Sequence, residues 1–173
     1  MHLDIGDQGG RVPLVLGLGC ERGTPCDEVI LLAEQALATA GIDHLMLTGI
    51  ASLDSRVAEP AMIAAAAHFS VPFLVFDAGT LEAQSPRLQN PSDIVFALTG
   101  CHGVAEAAAL AAAGKSGALI VPKIKSAHAT AAIARGVFSE SSQQVAAGRW
   151  QSESVSSHRE SRLLMSMASG AAP

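Results

Sequence analysis

The sequence predicts an α/β fold in which a mostly parallel sheet is covered on both faces by helices. Short apolar runs rich in β-forming residues alternate with helical patterns, as in βαβ units. The chain has 173 residues, the size of one ordinary domain, and 49% of them are hydrophobic. Alanine occurs 32 times and tyrosine is absent, so aliphatic side chains and closely packed helices must form the core.

The first strand and helix have the clearest signals. Residues 12–18 form a short apolar run that predicts a buried strand. Thr24 is predicted to cap the following helix, with Pro25 at the first helical position and Asp27 three residues after the cap. Gly41 is the expected stop. The apolar face of this helix repeats at helical spacing: Val29, Leu32, Ala33, Ala36, Leu37 and Ala40.

Three further elements follow in the first half of the chain. Residues 43–48 predict a second strand, and a polar loop at 52–56 leads into an alanine-rich helix over 59–69. Residues 71–76 predict a third strand. Pro72 lacks an N–H group, which places it at the start or the edge of that strand.

The second half of the domain alternates in the same way. An apolar run at 94–99 predicts a strand, and residues 104–113 predict a strong helix that ends at Gly114. A short strand is expected at 118–121. The alanine run at 127–134 has no clear period, so it fits either a last strand or a short helix.

The composition changes near the end of the chain. Residues 139–161 contain eight serines and few large apolar side chains, which predicts a flexible segment with a short helix at about 162–167. The predicted divisions are an N-terminal extension at 1–11, an α/β domain at 12–136 and a tail at 137–173.

Composition also excludes several classes of function. A net charge of −5 with three lysines and few aromatic residues argues against nucleic acid as a partner. No apolar run reaches about 18 residues and no signal pattern opens the chain, so we expect no membrane association and a cytoplasmic location. Three cysteines without CxxC spacing argue against a disulfide framework and a structural zinc site.

A glycine-rich junction at 17–24 lies between a strand and the start of a helix. Glycines let a ligand approach the backbone, and the free N–H groups of a helix start favour an anion. The spacing matches neither the dinucleotide fingerprint nor a phosphate-binding P-loop. A tight structural turn and a carboxylate site both remain open, and Arg22 favours the carboxylate site.

A second junction, at 98–106, repeats this design with glycines on both sides of a Cys-His pair. Such junctions lie at the carboxyl ends of strands, where ligands bind in α/β sheets. His102 could act as an acid or base, or simply as a turn residue. The position of Glu106 in the first turn of the predicted helix is explained by the helix dipole, which favours a negative charge there. Cys20 and Cys101 follow their strands at matching places and are expected to be small buried thiols.

Two other segments supply charged side chains. Asp54, Arg56 and Glu59 precede a predicted helix, as a solvated cap or as part of a site. Lys123 and Lys125 are two residues apart and point to one face if the chain is extended. They fit either a protected sheet edge or a cationic patch for a polyanionic ligand.

Taken together, these blocks resemble the CobE/CbiG C-terminal family of cobalamin biosynthesis across about residues 12–136. The blocks that support the resemblance are 17–24, 52–56 with Glu59 and Pro60, 91–92, 103–110, 121–126, 129–130 and 134–135. Glu21 stands where a basic residue is common in the family, and Arg56 stands where lysine is usual.

The resemblance implies a three-layer α/β/α domain with a mixed sheet of about five strands and a role in building the corrin ring. Longer family members open the δ-lactone of a cobalt-precorrin and release acetaldehyde, and they have additional N-terminal sequence. This chain is expected to have no room for such sequence, so it is more similar to the stand-alone CobE type, which acts in the aerobic route.

The expected ligand is a polycarboxylate corrin precursor of the precorrin or hydrogenobyrinic acid class. No cofactor and no metal are implied, and other cobalamin biosynthesis enzymes are expected partners. The alternative is a lactone hydrolase in which His102, Asp54 or Glu59 activates water. The expected ligand-binding residues are Gly19, Cys20, Arg22, Gly23, Thr24, Arg56, Gly103, Glu106, Lys123, Lys125 and Ser126.

Overall fold

The computed structural model describes residues 12–137, which form a five-stranded sheet with helices on both faces. The strands are β1 (Leu14–Cys20), β2 (Gly49–Leu53), β3 (Phe73–Phe76), β4 (Ala118–Lys125) and β5 (Ala129–Arg135). The helices are α1 (Cys26–Ala40), α2 (Pro60–Phe69), α3 (Ala78–Glu82), α4 (Asp93–Thr99) and α5 (Val104–Ala113). Short 3₁₀ turns lie at His44–Met46, Asp54–Arg56 and Ser85–Arg87.

The sheet is mixed, with the strand order β3-β2-β1-β5-β4. The β1–β2 and β2–β3 pairs are parallel, whereas β5 is antiparallel to both β1 and β4. Cys20 is opposite Ala129, and Lys125 is opposite Thr130. The last residues of β1 to β4 therefore lie at one edge with the first residue of β5, and we call it the carboxyl edge.

Alternation along β1 separates two cores. Leu14, Leu16 and Leu18 pack on the face covered by α1 and α2, while Val15 packs on the face covered by α5 and α3. The three-layer α/β/α architecture is therefore confirmed, with the mixed sheet as the middle layer.

Helix α5 lies close against β1 because β1 has glycines at the contact. A Cβ atom on Gly17 would overlap the carbonyl oxygen of Ala105 and approach the backbone nitrogen of Ala109 to 2.8 Å. A Cβ atom on Gly19 would lie 3.3 Å from the Cβ of Val104. Glycine on the strand and alanine on the helix therefore hold the start of α5 directly above the end of β1.

Most helix predictions are confirmed. The predicted apolar face of α1 is buried from Val29 to Leu37, and Gly41 ends the helix in the left-handed conformation at φ 65°. Helices α2 and α5 occupy their predicted places, and Gly114 ends α5. Pro72 immediately precedes β3, which lies at one side of the sheet. The alanine run near the end of the domain is strand β5.

The predicted cap of α1 is wrong. The helix begins at Cys26 with Pro25 at the cap position and has no side-chain cap. The Thr24 hydroxyl instead donates to the carbonyl oxygen of Glu21 at 2.6 Å, and Thr24 is buried. The Thr24 hydroxyl, which the sequence pattern predicts to cap α1, therefore stabilises the tight turn after β1.

Two strand predictions are also wrong. Residues His44–Met46 form a 3₁₀ turn because the Asp43 carboxylate accepts from the Leu45 N–H group, and β2 begins only at Gly49. The run at 94–99 is helix α4 because the Ser92 hydroxyl caps the Val95 N–H group.

Two boundaries also move, and the termini are not tested. Ser52, predicted in a loop, is buried in β2 and donates to Leu18. Strand β4 runs four residues beyond its predicted end at 121. The predictions for residues 1–11 and for the tail, apart from residue 137, lie outside the described residues.

Between residues 12 and 137, no single helix is long and apolar enough to cross a membrane. Helices α4 and α5 together would meet the length and composition required, and they bend by 76° at the break between them.

Candidate functional site

The predicted site segments meet at the carboxyl edge. These are the β1–α1 loop, the β2–α2 loop, the start of α5 and the β4–β5 turn. The Glu21 N–H group donates to the carbonyl oxygen of His128 at 3.0 Å, which joins the first loop to the last turn. A Cβ atom on Gly19 would lie 2.7 Å from the Thr130 hydroxyl as well as close to Val104. Gly19 is therefore at the centre of this edge.

Arg56 and Glu59 hold the β1–α1 loop against the β2–α2 loop. The Arg56 Nε group donates to the carbonyl oxygen of Cys20 at 2.8 Å. The buried Glu59 carboxylate accepts from the Gly23 N–H group at 3.0 Å. Gly23 has a φ of 78°, which an L side chain rarely adopts. Both charged residues therefore fix the shape of the glycine loop. The interpretation of Arg56 and Glu59 as a solvated helix cap does not account for these contacts.

The Cys20 thiol is a weak nucleophile at neutral pH. Burial raises its pKa, and the negative charge of Glu59 raises it further, whereas Thr24 and Arg56 act in the opposite direction. A raised pKa keeps the thiol protonated. Cys101 is buried, as the sequence predicts, whereas Cys20, also predicted to be buried, is only half-buried. Neither environment favours covalent catalysis.

Glu106 is a buried carboxylate whose two oxygens are both occupied. One oxygen accepts from the backbone N–H groups of Gln89 and Asn90 at 2.8 and 3.0 Å. The other accepts from the Asn90 side-chain amide at 2.8 Å and the Lys123 N–H group at 2.9 Å. Burial alone would raise the pKa of Glu106, but these hydrogen bonds outweigh it and lower the pKa. Glu106 therefore connects residues 89–90 to strand β4. The helix dipole alone does not explain this role.

His102 is held by a carboxylate that the sequence reasoning missed. The Glu82 carboxylate accepts from the His102 backbone N–H group at 2.9 Å and lies 2.8 Å from the ring Nδ1 atom. Phe96 stacks on the imidazole ring with centroids 4.4 Å apart. The Nε2 atom lies 3.4 Å from the exposed Asp93 carboxylate. This orientation leaves Nε2 as the ring nitrogen directed away from Glu82.

The β4–β5 turn is fastened to the first turn of α1. The Ser126 hydroxyl donates to the Glu28 carboxylate, which also accepts from the His128 backbone N–H group at 2.7 Å. The hydrogen bond from Ser126, followed by those from His128, lowers the pKa of Glu28. Ser126, predicted to bind ligand, therefore has an internal partner.

Cationic side chains remain at the carboxyl edge. Arg22 and Lys125 are exposed, and no hydrogen-bond or ion-pair partner is found for either side chain within residues 12–137. The Lys123 ammonium group donates only to the carbonyl oxygen of Asn90, at 3.0 Å, in the same part of the chain. Gly103 occupies the cap position of α5, and Asp54 is exposed in the turn after β2.

A groove of about 590 Å³ lies elsewhere, where α1 and α2 end, and its lining includes His44, His68 and Phe69. None of the predicted site residues lines it. In the described part of the chain, no group of three or more His, Cys, Asp or Glu side chains is arranged to hold a metal ion.

Fold and site together define a three-layer α/β/α domain with charged and glycine-rich loops at the carboxyl edge. Residues 14–134 match the family described as cobalamin synthesis G C-terminus. The chain belongs to this family and is a cobalamin biosynthesis protein of the CobE and CbiG type. The resemblance drawn from the sequence is thereby confirmed.

Two relatives with known names are similar to this chain in sequence. The chain is 65% identical over 121 residues to Protein CobE from Sinorhizobium sp, covering 70% of this chain and 79% of that protein. It is 30% identical over 121 residues to a cobalt-precorrin-5A hydrolase from Priestia megaterium, covering 70% of this chain. The match covers only 32% of that hydrolase.

Three solved structures of related proteins have a similar fold. A crystal structure of CobE, from the cobalamin (vitamin B12) biosynthetic pathway, matches with a TM-score of 0.69 and 32% identity, over 75% of this chain and 94% of that one. The cobalamin biosynthesis protein chiG from Agrobacterium tumefaciens matches with a TM-score of 0.52 and 26% identity, over 73% of this chain and 99% of that one. A putative cobalamin biosynthesis protein G homologue from Sulfolobus solfataricus matches with a TM-score of 0.56 and 25% identity, over 72% of this chain and 37% of that one.

Proposed function

We propose that this protein binds a corrin-ring precursor of the precorrin or hydrogenobyrinic acid class at the carboxyl edge, as a carrier or accessory in the aerobic pathway. The observation that carries the proposal is the convergence of the β1–α1 loop, the start of α5 and the β4–β5 turn around Gly19. Family membership supplies the ligand class, and the edge offers the complementary chemistry.

Corrin precursors bear several acetate and propionate side chains, which are ionised at neutral pH. Arg22 and Lys125 are exposed cations suited to such carboxylates. The carboxylates of Glu28, Glu59, Glu82 and Glu106 lie at the same edge, but each accepts an internal hydrogen bond. Arg22 and Lys125 are therefore cations that a polyanion can reach there.

The remaining predicted ligand-binding residues divide by role in this proposal. Gly19 and Gly103 are buried and let α5 pack closely against β1 and Leu88, whereas the exposed Gly23 allows the ligand to approach the backbone. Cys20 and Thr24 belong to the same loop as Gly23. Arg56 and Glu59 position that loop, while Glu106 and Ser126 position strand β4 and its turn. Lys123 and Lys125 flank Ile124, which packs in the core with Ala131, and the Lys123 side chain reaches the carbonyl oxygen of Asn90.

Titration of the purified protein with hydrogenobyrinic acid, followed by the visible spectrum, tests the proposal. We expect a saturable spectral shift at micromolar concentrations, and its absence would contradict the proposal. Lys125→Gln should weaken binding by at most about 1.5–3 kcal/mol, the contribution of a hydrogen bond to a charged group. Lys115→Gln is the matched control, because Lys115 is also exposed but lies in the α5–β4 loop at the other end of the sheet.

A second candidate function is hydrolysis of a precorrin δ-lactone with loss of a two-carbon unit. Glu82 orients His102 through Nδ1, and Nε2, which lies 3.4 Å from the Asp93 carboxylate, would be the atom that takes a proton from water. The hydroxide would attack the lactone carbonyl, the ring C–O bond would break to leave a carboxylate, and His102 would return its proton to the departing alcohol oxygen, while a cation holds a substrate carboxylate. Cleavage of the C–C bond at the alcohol carbon would then release the two-carbon unit as acetaldehyde. A relative named as a cobalt-precorrin-5A hydrolase gives this candidate its ligand class. Asp54 is the exposed alternative base, whereas Glu59 already accepts from Gly23.

Release of acetaldehyde from a lactone-bearing precorrin separates hydrolysis from binding alone. Turnover by the wild-type protein that is lost in His102→Gln, with corrinoid binding retained, would support the hydrolase. Binding without any acetaldehyde would leave the carrier function as the account of this protein.

We also propose that the protein acts in the cytoplasm and associates with other cobalamin biosynthesis enzymes through residues 137–173. The division of the chain into a domain at 12–136 and a separate C-terminal segment is part of this proposal. Deletion of residues 137–173 should abolish co-purification with those enzymes and leave corrinoid binding unchanged.

A further inference from the structure

The exposed cations Arg22 and Lys125 belong to segments on opposite sides of strand β5. Thr130 of β5 is opposite Lys125 of β4 and also opposite Gly19 of β1. Neighbouring strands are about 4.8 Å apart, so the backbone of Lys125 lies about 10 Å from that of Gly19. Arg22 follows Gly19 by three residues in the β1–α1 loop. Side chains as long as arginine and lysine can therefore contact carboxylates of the same ligand.

Hydrogen bonds to the carbonyl oxygen of His128 hold these two segments together. The Glu21 N–H group donates to this oxygen at 3.0 Å, and the Thr24 hydroxyl donates to it at 3.4 Å. Arg22 lies between these two donors in the sequence. His128 belongs to the β4–β5 turn, which begins directly after Lys125. The turn therefore fixes the β1–α1 loop relative to the end of β4.

The Glu28 carboxylate fixes the same turn from the first turn of α1. One of its oxygens accepts from the Ser126 hydroxyl and from the His128 N–H group, the latter at 2.7 Å. Its other oxygen lies 3.2 Å from the His128 Nδ1 atom. Ser126 directly follows Lys125, so Glu28 determines the position of the residue next to this cation.

We propose that Glu28 is a positioning residue for ligand binding, which fixes Ser126 and His128 so that Lys125 and Arg22 bind carboxylates of the same ligand. This inference rests on the proposed function. By its charge alone, Glu28 would oppose the binding of a polyanion. A positioning role predicts the opposite result, because loss of its hydrogen bonds would release the turn and weaken binding.

The test is titration of the full-length Glu28→Ala and Glu28→Gln variants, which lose the same charge, with hydrogenobyrinic acid. Alanine removes every hydrogen bond from Glu28 to the turn, so we expect binding to weaken about tenfold. Glutamine keeps an acceptor oxygen for Ser126 and the His128 N–H group, and its NH₂ group can donate to the Nδ1 atom of a neutral His128 ring. Glu28→Gln should therefore bind at least as tightly as the wild type.

A Lys125→Gln background shows whether Glu28 acts through Lys125. There, Glu28→Ala should cause no further weakening, because the cation that Glu28 positions is absent. Ser126→Ala removes only one of the hydrogen bonds and should weaken binding severalfold, which keeps the inference testable if Glu28→Ala does not fold. Glu34→Ala is the matched control, because it removes a carboxylate of the same helix that contacts His68 in the groove where α1 and α2 end. The control should bind within about twofold of the wild type.

The outcomes separate the inference from the function on which it rests. If the wild type does not bind, both fail. If the wild type binds and Glu28→Ala binds equally well, the inference is overturned and the proposed function stands. The same holds if Glu28→Gln is weakened as much as Glu28→Ala, or if Glu28→Ala weakens binding further in the Lys125→Gln background.

Discussion

Removal of the Glu106 carboxylate should destabilise the domain strongly. The side chain is 1% exposed and accepts four hydrogen bonds, three from backbone N–H groups and one from the Asn90 amide. Glu106→Ala would leave the three backbone donors without this partner. At about 1–3 kcal/mol for each buried donor, the expected loss is at least about 3 kcal/mol in the free energy of unfolding.

Glu106→Gln is the sharper variant because it keeps the shape of the side chain. Its amide oxygen can accept from two donors, whereas its NH₂ group would face donors where a carboxylate oxygen now accepts. The Asn90 side-chain amide can rotate to offer its oxygen, but the Lys123 N–H group cannot. We therefore expect a loss of about 1–3 kcal/mol, smaller than for the alanine variant.

Urea unfolding followed by far-ultraviolet circular dichroism measures both losses. Because the pKa of Glu106 is lowered in the folded state, its contribution is complete above the ordinary glutamate value of about 4.5 and declines as the pH falls through the lowered value. The difference between wild type and Glu106→Gln should therefore shrink in acid. Equal stability of the two proteins at pH 7, or a difference that grows in acid, would refute the reasoning.

Two other contacts in the domain give similar predictions. Gly17→Ala should cost about 1–3 kcal/mol or more in the same unfolding assay, because the new Cβ would overlap the Ala105 carbonyl oxygen. Gly49→Ala, whose Cβ would lie 3.6 Å from its neighbours, is the control, and equal effects would contradict the close helix contact. Glu28→Ala should speed hydrogen exchange at the His128 amide. Since the pKa of Glu28 is lowered, wild-type protection there should persist above about pH 4.5 and fall only in more acidic solution, and unchanged exchange in the variant would count against this tie.

Elements with a repeating pattern and a clear stop were predictable from sequence. Helix α1 has apolar residues at helical spacing, and its end follows from Gly41. Its start does not follow from the sequence, because the Thr24 hydroxyl serves the preceding turn instead of capping the helix. The run at 94–99 has no such period, and the Ser92 hydroxyl that caps α4 decides its helical form. The 3₁₀ turn at His44–Met46 likewise depends on a single contact, from the Asp43 carboxylate to a backbone N–H group.

The segments that form the candidate site were predictable from the sequence, but the hydrogen-bond partners of their side chains were not. A glycine-rich junction after a strand marks the carboxyl edge of an α/β sheet, which is why loop 17–24 could be singled out. Loop 98–106 was singled out for the same reason, but it follows helix α4 instead of a strand, and it reaches this edge because Val104 at the start of α5 packs on Gly19. The partners of His102 and Ser126 are Glu82 and Glu28, which lie 20 and 98 residues away in sequence. No short motif links such pairs, so only the folded chain shows them.

The most direct test of the account is a backbone amide NMR titration of the full-length protein with hydrogenobyrinic acid. If the carboxyl edge is the site, saturable shifts should concentrate in the segments 22–24, 102–105 and 123–126. Amides lining the groove where α1 and α2 end, such as those of His44 and His68, should be unchanged. Shifts confined to that groove, or no saturable shift anywhere, would contradict the central claim.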